Sequence, residues 1–339
     1  MLGRKSWKVH RVCFALALLA YVIVNPSLRP GADVWRRVSE NWGLTLLGFG
    51  ISFTQPLWGA LRLHRLLEDC GFALTRLKAF CFCLAGSFFN IFLPGSTGGD
   101  AYRVYALSRD GGAGIGSALA TISLDRLLGL PSLILVILFG MTLDYRFLLA
   151  NRMLAKMIPF VAAAGAICLF MVFYLAWAGK SGRRRKDAPA AGGGRLRRLH
   201  NLIAGNVKRP ATLPLTLFYG GLAHLATIAS CQCFGEALGI SGVPWMRYYL
   251  LVPMAMAINS IPGAPGGVGQ GELAMASLLD LAAPGGDNSR VGVALMLLFR
   301  SSNMAIGLTG GIFHALGGRI AGAAAPAIAA GDDGKAPWP

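Results

Sequence analysis

"NIFLPGSTGGDAYR", Asn90 to Arg103, lies where so apolar a chain should build a membrane helix, yet Pro94, Gly95, Gly98 and Gly99 interrupt it and Asp100 and Arg103 follow. Proline removes a backbone donor and clashes with the preceding turn, and glycine is a poor helix former. Irregular backbone at membrane depth is tolerated only where it is buried in protein or lines a wet cavity. The stretch is therefore read as a break in a membrane helix and as a candidate site.

The surrounding composition makes the membrane reading firm. Of 339 residues, 55% are hydrophobic and only 14% charged, against roughly a quarter charged in soluble domains; mean hydropathy is +0.55. Charge-free apolar runs cover Asn41–Leu61, Ala79–Gly99, Met157–Gly179, Pro210–Gly235, Tyr248–Gly271 and Ser301–Gly318, with shorter ones at Val12–Ser27 and Leu127–Leu143. Several reach the ~20 residues that a spanning helix needs. Period-2 alternation of the barrel type is missing from the sequence, so the chain reads as an all-α polytopic membrane protein.

The net charge of +17 reflects topology rather than nucleic acid, because the basic residues cluster between apolar runs. Between Lys180 and Arg209, basic residues such as Arg183, Arg184, Arg185, Arg197 and Arg198 face the single acid Asp187. This segment is expected to be a cytoplasmic linker, attracted to anionic headgroups by about 1 kcal/mol per basic residue. Val12–Val24 follows Arg4, Lys5, Lys8 and Arg11 and reads as a retained signal anchor. The seven cysteines imply neither a disulfide framework nor a metal cluster.

Walking outward from the basic linker places the Asp144–Lys156 loop outside and Arg62–Lys78 inside. Between Arg62–Lys78 and the helix starting near Gly114, the chain must cross an even number of times with only Ala79–Leu107 available. Two full spans do not fit, so a re-entrant hairpin is expected.

A second copy of the pattern lies half a chain later. "NSIPGAPGGVGQGE", Asn259 to Glu272, repeats PGxxGG as Pro262-Gly263-x-x-Gly266-Gly267. Each copy has an Asn upstream (Asn90, Asn259), an acid downstream (Asp100, Glu272) and an arginine in a later apolar helix (Arg126, Arg300). The walk makes the second hairpin enter from the outside. Together they predict an inverted-topology repeat, with about six full spans plus two broken or re-entrant hairpins and both termini cytoplasmic. The expected divisions are 1–41 signal anchor and external loop, 42–143 repeat one with hairpin 79–108, 144–178 connecting helix, 179–209 linker, 210–318 repeat two with hairpin 248–283, and 319–339 tail. Half-helix N-termini after Gly99 and Gly267 should present free N–H groups to an anion.

Asp100, Arg103, Asp125, Arg126, Glu272 and Arg300 lie in or beside apolar helices, where ions are costly and face a partner or a wet cavity. In a functional reading, Arg126 and Arg300 bind a phosphate headgroup while Asp100 and Glu272 gate or bind a cationic group. In a structural reading, Asp100 pairs with one arginine and Glu272 with the other. Asp125 is expected to pair with Arg103 or Arg109. His224 and His314 read as helix-bridging side chains rather than metal ligands, and Trp245, Tyr248 and Tyr249 as an interfacial aromatic belt.

"NIFLPGSTGGDAYR", "SLDRLLGL" and "SIPGAPGGVGQGE", in that order, resemble the lysylphosphatidylglycerol synthase transmembrane region family, the flippase-like membrane half of the bacterial multiple peptide resistance factor. The resemblance runs from about Trp42 to Gly318. It maps the first motif to Pro94, Gly98, Gly99, Asp100 and Arg103, and the family's Glu-Arg pair to Asp125 and Arg126. The second motif falls on Pro262, Gly266, Gly267, Gly269 and Glu272, and the later arginine on Arg300. It implies carriage of a polar-headed lipid between leaflets. The chain ends at Pro339, shortly past its last apolar run, so an aminoacyl-transferase domain, and with it synthase activity, is not expected.

The sequence thus leads to a lipid translocase of the bacterial inner membrane, moving a phosphate-bearing or otherwise polar-headed lipid. No metal or other cofactor is implied, and no GxxxxGK[ST] motif for ATP is present. The membrane lipid is the expected partner, a separate lipid-biosynthetic enzyme and a homodimer are compatible with the chain, and nucleic acid is not. The rivals are a membrane enzyme that modifies a lipid headgroup and a scaffold for a lipid-biosynthetic enzyme.

Overall fold

The computed structural model describes residues 21, 24–25, 28–72, 74–92, 98–110, 114–183, 212–240, 242–261, 268–283 and 288–323. The signal anchor, most of the basic linker, the tail, and the Pro94–Thr97 and Pro262–Gly267 breaks lie outside these residues. Every regular element among the described residues is helical: α1 Ala32–Glu40, α2 Trp42–Ser52, α3 Gln55–Cys70, α4 Arg76–Phe92, α5 Gly98–Asp110, α6 Ile115–Leu143, α7 Tyr145–Ala150, α8 Arg152–Ala155, α9 Ile158–Arg183, α10 Thr212–Ala237, α11 Trp245–Ser260, α12 Gln270–Ala282 and α13 Asn288–Ala323. Among the described residues, four stretches, Ile115–Leu143, Arg152–Trp177, Thr212–Ala237 and Asn288–Ala315, are long and apolar enough to cross a membrane.

The expected span Asn41–Leu61 is instead two helices. α2 ends at Ser52, and α3 restarts with Pro56 in its first turn, where proline's missing N–H costs nothing. α3 then continues to Cys70, so Arg62 and Arg65 are helical rather than part of a loop. The segment read as an external loop holds α1, which packs on α10. There Asn41 Nδ2 donates to the Ala237 carbonyl (3.2 Å) and Arg37 Nη1 to the Leu238 carbonyl (3.4 Å). Those bonds supply donors to carbonyls at the end of α10, which a helix end leaves unpaired.

α4 and α5 form one hairpin, and α11 and α12 the other; each arm is too short to span alone. Their packing is reciprocal. α5 lies on α6 and α12 on α13, whereas α4 packs on α13 and α11 on α6, so the first arm of each hairpin crosses to the other half's long helix. Both crossings need glycine. A Cβ on Gly310 of α13 would run into the Leu84 carbonyl of α4, and one on Gly140 of α6 into the Tyr249 carbonyl of α11.

The two hairpins open toward opposite ends of the bundle. At one end, Arg247 at the start of α11 ties Asp144 (Nε to Oδ2, 2.8 Å) at the end of α6 to the Ala282 carbonyl (2.8 Å) at the end of α12, and it lies 3.9 Å over the Phe147 ring. Asn288, opening α13, donates to the Ala283 carbonyl. At the other, basic end, α3 terminates beside α6, with Thr121 Oγ1 donating to Cys70 Sγ at 3.2 Å. α4 runs against α13 in the opposite direction, with Ser87 and Ile91 beside Gly307 and Leu84 beside Gly310.

Each hairpin has its own apolar core. Leu63, Leu67, Phe82 and Leu107 bury around the first; Phe234, Leu250, Leu279 and Leu295 around the second. Tyr248, expected in an interfacial belt, is 5% exposed because its ring enters the space left by Gly235 on α10. Trp245 and Tyr249 remain toward the surface.

Candidate functional site

The site is built where the hairpins break. α4 and α5 meet at Gly86 and Gly99: a Cβ on Gly99 would collide with the Gly86 carbonyl. The close approach lets Asn90 Oδ1 accept the Gly99 N–H at 2.8 Å. α5 begins at Gly98 rather than after Gly99, so the Gly99 N–H belongs to its first turn and is already taken. The first turn of α5 then places Asp100 against α6, where Arg126 Nε donates to both carboxylate oxygens (3.1 and 2.9 Å) and Nη2 to Oδ1 at 2.6 Å.

Arg103, one turn further, reaches Asp100 Oδ1 only at 3.5 Å and donates from Nη2 to the Cys83 carbonyl at 3.3 Å. Its Nε is buried without a partner. Arg126 is the open member of the group, with 49% of its side chain exposed against 21% for Asp100 and 12% for Arg103.

At the second site the acid is held more closely. α12 begins at Gln270, two residues later than expected, with Gly269 before it in the left-handed region (φ +80°), a conformation that favours glycine. Glu272 Oε2 accepts the Gly269 N–H at 2.8 Å, and Arg300 of α13 grips the same carboxylate with Nε to Oε1 at 2.8 Å and Nη2 to Oε2 at 3.1 Å. Glu272 is 3% exposed. Asn259 approaches Gly271 much as Asn90 approaches Gly99, but its Oδ1 is buried without a donor, as is Gln270 Oε1. Buried polar atoms are ordinarily paired, so their concentration at the two breaks singles these places out.

Asp125 does not pair with Arg103 or Arg109. It is gripped by Arg62 of α3, Nε to Oδ1 at 2.7 Å and Nη2 to Oδ2 at 3.0 Å, with 14% and 4% of the side chains exposed. Gly129 gives this guanidinium room: a Cβ there would lie 3.3 Å from Arg62 Nη1. Arg62 is the residue that sequence reading assigned elsewhere. Its signal was available, because a carboxylate inside an apolar helix demands a cation, and the following Arg126 points another way on the helix. Tyr102 and His314 meet as well, Oη to Nδ1 at 3.0 Å, joining α5 to α13.

The position of the two ion pairs along their helices follows from helix geometry. Arg126 lies about 16 Å along α6 from its start at the basic end, and Arg300 about 18 Å along α13 from its start at the opposite end. Both ion pairs therefore lie about three turns into their long helices rather than at a helix end.

These features define a class: a helical membrane protein in which two short helical hairpins each set an acid on an arginine of a long apolar helix. Residues 9–311 match the lysylphosphatidylglycerol synthase TM region, and the chain belongs to that family. Neither the curated proteins nor the solved structures contain a significant match.

Proposed function

We propose that the chain is a lipid translocase that moves a polar-headed, phosphate-bearing lipid between the leaflets of the bacterial inner membrane. The family ties it to membrane lipid chemistry. The observation that carries the proposal is the pair of broken hairpins. They open toward opposite ends and set an acid of the hairpin on an arginine of its own half's long helix.

Reciprocal packing of α4 on α13 and α11 on α6 supports reading the halves as an inverted-topology repeat, the arrangement in which paired broken helices bracket a midplane site. In this reading the basic end, with Arg65, Arg76, Lys78 and Arg109, faces the cytoplasm. The headgroup passes through the polar breaks while the tails remain in lipid. Arg126 and Arg300 bind or guide its charge, and Asn259 and Gln270 accept from its donors.

The test is leaflet exchange in proteoliposomes with head-labelled anionic, zwitterionic, aminoacylated and glycosylated lipids. The proposal expects exchange well above that of protein-free vesicles for at least one phosphate-bearing class. Exchange at the protein-free rate for every class would exclude a translocase and favour headgroup modification.

A further inference from the structure

We propose that Asp100 is served by two arginines in turn: Arg103 takes over the carboxylate when an anionic phosphate headgroup captures Arg126. The inference rests on the translocase reading only for the identity of that anion as part of a lipid.

Charge counting isolates this cluster. Arg62 with Asp125 and Arg300 with Glu272 are each one cation on one anion. Around Asp100 there are two guanidiniums for one carboxylate. An excess positive charge at membrane depth is costly, and a single phosphate charge would neutralise it. Of the three charged clusters, this one is suited to bind an anion.

The two arginines hold different positions. Arg126 makes the short contacts yet is half exposed, so an entering anion meets it first; its Nη1 has no hydrogen-bond partner among the described residues. Arg103 is sheltered, stands 3.5 Å from the same Asp100 oxygen, and has a buried Nε that donates to nothing. Drawing Arg126 away without a replacement would leave a largely buried carboxylate unpaired, the costly step in breaking a buried ion pair. With Arg103 in reserve, Asp100 stays paired in both states, and the unused donor gains an acceptor.

Gly86 leaves the space in which Arg103 sits, since a Cβ there would lie 2.5 Å from Arg103 Nε. Glu272 has a different design. It is nearly fully buried, gripped at both oxygens by Arg300 and capped by the Gly269 N–H, so it is built to hold rather than to exchange.

Thermal melting of the detergent-purified chain tests this, titrating short-chain phosphatidylglycerol against an uncharged lipid of equal chain length and against inorganic phosphate. The wild type should be stabilised by phosphatidylglycerol and not by the uncharged lipid. Arg103→Gln should bind at least about tenfold more weakly, while Arg103→Lys retains binding. Asp100→Asn/Arg103→Gln should recover it, because no carboxylate then needs a second partner. That recovery separates exchange from a merely structural role for Arg103.

Unchanged binding by Arg103→Gln, or a double variant as weak as the single one, would overturn the proposal. Stabilisation by inorganic phosphate with none by phosphatidylglycerol would overturn the lipid assignment. If Arg103→Gln does not fold, Gly86→Ala, which presses on Arg103 Nε, should weaken binding in its place; wild-type affinity there would count against the proposal. Because the readout is binding, a wild type that fails to exchange lipids would sink the translocase reading and leave this result interpretable.

Discussion

Arg62 shows how much one side chain decides here. It crosses from α3 to grip Asp125, while the next residue of α6, Arg126, grips Asp100 of the first hairpin. Consecutive residues thus bind α6 to two different neighbours. Removing one member of a buried pair leaves the other uncompensated, so Arg62→Ala and Asp125→Asn should each destabilise the protein by about 3–5 kcal/mol. Arg62→Leu/Asp125→Leu should cost much less than either. Thermal melting in detergent checks this, and a double variant as unstable as Arg62→Ala would contradict it. Asp125, Arg126 and Arg300 were legible in the sequence because charge stands out in apolar helices. Their partners were only partly legible. Pairing depends on which helix faces which, and Arg62 lay among basic residues that resemble a retained loop.

At the scale of elements, the sequence revealed the two breaks, since PGxxGG with matched flanks has few readings in a membrane helix. It did not reveal the break between α2 and α3: Asn41–Leu61 carries no charge, and Pro56 suits a first helical turn as well as a kink. Nor did it reveal the crossings, because Gly140 and Gly310 matter through the backbones that reach them. Adding a methyl at Gly310, against the Leu84 carbonyl, should destabilise by about 1–3 kcal/mol. The same change at Gly50, which has nothing within 4 Å, should be nearly silent; equal melting temperatures for the two variants would contradict the close crossing. Cysteines placed at Leu77 and Trp245, exposed at the starts of α4 and α11, should label from opposite sides of a sealed vesicle in a background without other reactive cysteines. Labelling of both from one side would rule out hairpins that enter from opposite faces.

For the molecule as a whole, the two halves depend on each other. α4 finds its partner on α13 and α11 on α6, so neither hairpin is sheltered by its own half alone. In the proposed translocase, such swapped packing would let a shift of one half against the other alter both breaks together and expose a polar path to each leaflet in turn. The most direct test is exchange of head-labelled phosphatidylglycerol between leaflets, comparing the wild type with Arg126→Ala and Glu272→Gln, all verified as folded. The account predicts fast exchange by the wild type and a loss of at least about tenfold in each variant. Wild-type rates in both variants would show that lipids do not pass through the breaks.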